Sequence, residues 1–167
     1  MRILVAYASR HGATQVIATV VAHTLEGYGH TVDIRPVEDA GGVEEYDAVV
    51  VGSAVYRGHW LPAATGFIRR NADVLAGRPV WLFASGPLGT RHPLRGKDPS
   101  GLVGAVAPRG QVVFPGALDP AELTVRERAL RWTPAGRARL PAGDYRDWDE
   151  IRVWAGSVGE TLRATRV

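Results

Sequence analysis

Along this chain, short apolar runs alternate with segments whose apolar residues return every three or four positions. Residues 3–8 (ILVAYA), 48–51 (AVVV) and 80–84 (VWLFA) are continuously apolar. Such runs suit strands covered on both faces, as in a parallel sheet flanked by helices. Residues 31–37 (TVDIRPV) instead set Val32 and Ile34 against Asp33 and Arg35, and Pro36 withholds a ladder donor. Both features predict an edge strand. Residues 111–116 (QVVFPG) are apolar and carry a proline too, which predicts the opposite edge.

Helical spacing fills the gaps. Val16, Ile17, Val20, Val21 and Leu25 recur on one face until Gly27 and Gly29 end the pattern. Leu61, Ala64, Ile68 and Leu75 outline a second helix, stopped by Gly77 before Pro79. Near the C-terminus, Asp147 and Glu150 stand at the spacing of an N-cap and its return partner. Trp148, Ile151, Trp154 or Ala155, Val158 and Leu162 then continue as an apolar stripe. The alternation predicts an α/β fold with a doubly wound sheet. Residues 86–109 form a long Gly/Pro-rich connection with room for one short helical turn, and a loop of that length is usually functional or mobile. Residues 117–146 hold a helix-like stretch at 119–132 and an irregular remainder. With no repeat and no interdomain linker, residues 1–167 read as a single domain.

Composition narrows the chemistry. The chain has no cysteine, which excludes disulfides, thiolate nucleophiles, Cys-ligated zinc and iron–sulfur clusters. Redox chemistry here would need an organic cofactor. Apolar residues make up 46% and charged residues 22%, ordinary for a soluble globular protein. No run approaches the roughly 18 apolar residues of a membrane span, and the N-terminal run is too short for a signal peptide. A cytoplasmic protein without stable membrane insertion is expected. A net charge of +3 gives no argument for nucleic acid, and a homodimer is compatible with the pattern.

In a doubly wound sheet, ligands bind beyond the carboxyl ends of the strands, where strand order reverses. Three loops should meet there: Ser9–Thr14, Ala54–Trp60 and Ser85–Leu94. The first offers Ser9, Thr14 and the main-chain N–H groups of residues 10–13 at the start of a helix, which makes a ready anion site. The same residues also suit an ordinary helix cap, and the stretch alone leaves both readings open. Neither G-x-x-x-x-G-K-[ST] nor G-x-G-x-x-G is present. His11, His59 and His92 lack the carboxylate or thiolate company of a metal site. Ser9 or Ser85 with His11 lacks the G-x-S-x-G turn of a hydrolase.

The layout "ILVAYASRHGAT", "VVVGSAVYRGHW" and "WLFASGPLG" resembles the flavodoxin-like family of FMN-binding proteins. The first loop is similar to that family's T/S-x-T-G-x-T phosphate loop, with Ser9, Gly12 and Thr14 in place and His11 where a hydroxyl stands. In the second loop, the order Gly52, Ser53, Tyr56, Arg57, Gly58, His59, Trp60 is nearest to the menaquinone-dependent protoporphyrinogen oxidase branch. The segment 119–144 is shorter and less apolar than that branch's insertion. The resemblance implies a five-stranded parallel sheet in order 2-1-3-4-5 and an FMN cofactor. It also implies a phosphate site at Ser9, Arg10, His11, Gly12, Ala13 and Thr14. The isoalloxazine would lie between Ser53, Ala54, Val55, Tyr56, Arg57 and Gly58 on one side and Ser85, Gly86, Pro87, Leu88 and Gly89 on the other. Tyr56 or Trp60 could supply an aromatic wall, since stacking shields a flavin from water; Trp81, mid-strand, belongs to the core. The deazaflavin F420 is the alternative cofactor for the same loops.

Each loop also pairs an arginine with a histidine: Arg10-His11, Arg57-Gly58-His59 and Arg91-His92, with no acidic residue over 9–14, 54–60 or 85–97. A basic rim should raise the potential of a reduced flavin and attract an anionic substrate or redox partner. Arg57, His59 and Arg91 are then the candidate catalytic groups. Two functions follow: an FMN-dependent oxidoreductase acting on an anionic substrate, the protoporphyrinogen oxidase type included, or an electron-transfer module serving a partner protein.

Overall fold

The computed structural model describes residues 1–56, 58–86, 103–140 and 142–165. Strand β1 (Arg2–Ala8) leads through α1 (Ala13–Gly27) to β2 (Thr31–Pro36) and β3 (Ala48–Tyr56). A two-residue strand, β4 (His59–Trp60), folds back antiparallel on the end of β3. Helices α2 (Pro62–Arg70) and α3 (Ala72–Ala76) precede β5 (Val80–Ser85), and α4 (Val103–Val106) precedes β6 (Gly110–Phe114). Beyond it come β7 (Ala117–Leu118), α5 (Val125–Leu130), α6 (Pro134–Arg139), β8 (Gly143–Asp144) and the long α7 (Trp148–Ala164).

The main sheet runs β2-β1-β3-β5-β6, all parallel. With the short β4 set aside, this is the expected order 2-1-3-4-5. The continuously apolar strands are the three central ones, and the two proline-bearing segments are the edges. Pro36 lies inside edge strand β2, whereas Pro115 falls just past the end of β6. Side chains alternate across the sheet. Ile3, Val5, Val50 and Phe83 pack with Ile17, Val21 and Leu25 of α1 and Ile151, Ala155 and Leu162 of α7. Leu4, Val49, Val51 and Leu82 pack on the opposite face with Phe67, Ile68 and Leu75. Trp81 is core, as expected.

Two local expectations change. The helix read over 61–75 divides at Asn71, whose side-chain amide donates to the Phe67 carbonyl at 2.9 Å and takes up an end-of-helix acceptor. Asp147 does cap α7, accepting from the N–H groups of Asp149 (3.1 Å) and Glu150 (3.0 Å), but Glu150 makes no return bond among the described contacts. Asp147→Ala should therefore cost about 1 kcal/mol, read as a lower urea midpoint at unchanged m. An unchanged midpoint would mean that the cap carries no stability.

Candidate functional site

The carboxyl ends of β1, β3, β5 and β6 open onto a cavity of about 750 Å³, within the roughly 300–1,000 Å³ of ligand clefts. Its first wall is Ser9, Arg10, His11, Ala13 and Thr14; its second is Ala54, Val55 and Tyr56; its third is Ser85 and Gly86. The described parts of the three loops named from sequence do converge. Among the described residues, no helix is long and apolar enough to cross a membrane.

The first loop is built as an open helix start. Gly12 is the N-cap of α1 at φ 76°, a left-handed conformation that favours glycine, and no side chain caps the helix. The first-turn N–H groups thus have no side-chain partner. Thr14 is 1% exposed and faces the cavity. Ser9 Oγ is buried against the same cavity with no hydrogen-bond partner among the described residues. An orphaned hydroxyl beside a positive helix end is the arrangement an anion would satisfy.

Tyr56 forms the aromatic wall. Its ring lies 6.1 Å from that of His11, and the Arg10 guanidinium sits 5.2 Å from its centroid. Burial pushes the Tyr56 phenol up against the opposing charge of Arg10, so it stays neutral at physiological pH. Trp60, the other candidate, is 5% exposed and packed in the core. Ser53 is fully buried too: its hydroxyl donates to the Ala54 carbonyl (2.9 Å) and accepts from the Leu61 N–H (3.0 Å). It anchors the second loop and does not line the cavity. Gly58 turns the chain at φ 81° so that His59 pairs with Tyr56, and His59 is exposed outside the lining. On the third side, Gly86 at φ 110° donates to the Phe114 carbonyl at 3.0 Å. Arg57, Pro87, Leu88, Gly89, Arg91 and His92 lie outside the described residues.

The acid-free rim read from the loops is modified by a residue from elsewhere. Gly116, Ala117, Leu118, Glu127, Leu130, Ala138 and Leu140 complete the cavity wall, and none was singled out from sequence. Glu127 closes a capping box on α5. The Thr124 N–H and hydroxyl donate to its Oε2 at 3.0 and 2.8 Å, while its own N–H donates to Thr124 Oγ1 at 3.3 Å. The free oxygen, Oε1, lies 3.1 Å from Arg10 Nη2 and 3.6 Å from His11 Nε2. His11 Nδ1 donates to the Glu122 carbonyl at 2.9 Å, which places its proton there and ties the first loop to the α5 segment. The T-x-x-E spacing at 124–127 signals the helix cap in the sequence, but not the loop that Glu127 meets.

Burial pushes the Glu127 carboxyl up, but the Thr124 hydrogen bonds and the charge of Arg10 outweigh it. It titrates below the ordinary glutamate range. With the native value below the unfolded one, its stabilisation is complete at neutral pH and is lost as pH falls through the native value. The stability gap between wild type and Glu127→Gln should therefore close on acidification, as followed by urea melts. A gap constant from neutral pH into the acid range would contradict the ion pair.

The family described as "Flavodoxin domain" matches residues 4–135. Protoporphyrinogen IX dehydrogenase [quinone] of Escherichia coli K12 is 31% identical over 86 residues, covering 50% of this chain and 48% of that protein. The chain thus spans about half the length of the curated relatives it matches. Among solved structures, a flavodoxin from the domain Archaea superposes with a TM-score of 0.62 at 15% identity, covering 98% of this chain and 99% of the other. The rubredoxin oxygen:oxidoreductase of Desulfovibrio gigas gives 0.65 at 14% identity, over 98% of this chain and 36% of the other.

Proposed function

The chain belongs to the flavodoxin domain family, and from that premise we propose that it is an FMN-binding redox protein whose cofactor occupies the cavity at the sheet's carboxyl edge. The observation that carries the reading is Ser9 Oγ, buried and unpartnered beside the uncapped start of α1. A phosphate there would receive the Ser9 and Thr14 hydroxyls and the first-turn N–H groups. Tyr56 would stack on the ring, and Ser85 and Gly86 would border its other side. When bound, the isoalloxazine supplies a centre that accepts and passes on electrons. The chain's own part is to hold the phosphate, exclude water with Tyr56, and set the local charge.

That local charge bears on the partner. Arg10 and His11 face Glu127, so their share of a basic rim is offset, and an anionic partner would depend on the remaining arginines of the second and third loops. The half-length likeness to protoporphyrinogen IX dehydrogenase [quinone] supports a second reading, an oxidase of that type acting on an anionic tetrapyrrole. Neither support is specific to a deazaflavin.

Titrating FMN with the protein and following flavin fluorescence tests the cofactor. Saturable one-to-one quenching, with FMN preferred over riboflavin, is expected. No quenching at micromolar protein would overturn the reading.

A further inference from the structure

We propose that Glu127 sets the strength of the anion site by competing with the incoming phosphate for Arg10; this rests on the reading of the cavity as a phosphate site. The two carboxylate oxygens have separate duties. Oε2 takes both Thr124 hydrogen bonds and is fixed by the helix cap. Oε1 is left to face Arg10 Nη2, where an anion's oxygen would otherwise sit, with His11 Nε2 nearby. At 3.6 Å the His11 contact is too long for a hydrogen bond, and Nε2 is buried without a partner. The His11 side chain is 6% exposed and that of Glu127 17%, so water screens the carboxylate poorly. The site thus sets a fixed negative charge beside Arg10 and the uncapped start of α1, where an anion would sit.

Two consequences follow for ligand choice. A phosphomonoester carries close to two negative charges at neutral pH and is opposed by Glu127, while an uncharged flavin is not. Specificity for the phosphorylated form is therefore lower than the loop alone would give. The α5 segment, which brings Glu127 to the rim, also has to yield Arg10 when the phosphate enters.

Glu127→Gln separates charge from structure, because glutamine serves equally in a capping box and α5 should stay folded. The probes are FMN and riboflavin, by fluorescence quenching, and inorganic phosphate, by NMR of the His11 ring. Removing the charge should tighten FMN and inorganic phosphate roughly tenfold and leave riboflavin unchanged. FMN and phosphate affinities that are equal or weaker in the variant would overturn the proposal, even with FMN still bound. Phosphate tightening in a protein that binds neither flavin would uphold it and overturn the cofactor reading. A protein that takes none of the three probes would overturn both.

Discussion

Replacing Gly52 by alanine should destabilise the protein by roughly 2–3 kcal/mol, at the upper end of ordinary overpacking. Gly52 pairs with Phe83 across β3 and β5. A Cβ at position 52 would lie 2.0 Å from Phe83 Cζ and within 2.5 Å of both ε carbons, so the ring itself must move. It has little room. Phe83 is fully buried, with the Phe114 ring centroid at 6.1 Å and the Trp154 centroid at 6.2 Å. Those contacts join the sheet to α7, and a displaced Phe83 would loosen that face as a unit. For a chain of this size the loss corresponds to a fall in Tm of about 4–12 °C, measured by thermal melting in the near-ultraviolet. A change under about 1 °C would mean that the ring does not lie over Gly52.

Ser9→Ala should weaken FMN binding by roughly 10- to 100-fold, the worth of one hydrogen bond to a charged acceptor. Ser9 Oγ is buried and has no partner among the described residues, so its removal breaks no hydrogen bond among them. Riboflavin affinity should stay unchanged, as should the melting temperature, which excludes a general loss of fold. Equal losses for both flavins would place Ser9 near the ring, and no loss for either would remove it from the site.

The strands were legible because the sequence expresses the sheet's environment directly. Ile3–Ala8, Ala48–Val51 and Val80–Ala84 are apolar without interruption, and only strands covered on both faces require that. The positions of the first loop and of the start of the third, Ser85 and Gly86, followed from topology. What escaped was long-range. Glu127 stands over a hundred residues from Arg10, and nothing in its neighbourhood says which loop it will meet. The residues 117–140 carry short elements stapled by local caps, such as Thr124 with Glu127 and Thr133 with Gly136, and such caps leave little apolar periodicity to read. Ser53 was placed at the site by the family resemblance, and Trp60 as the alternative aromatic wall. The strand alternation and the β3–β4 reversal turn both into the core, Ser53 to satisfy Leu61 and Trp60 to pack.

Backbone amide NMR during an FMN titration tests the location of the cofactor most directly. The largest shifts should fall on Ala13, Thr14 and Gln15 at the start of α1, with further shifts at Tyr56 and Gly86. Riboflavin should move Tyr56 and Gly86 but spare the helix start. Shifts confined to another face of the sheet, or a helix start indifferent to FMN, would contradict a phosphate site in the first loop.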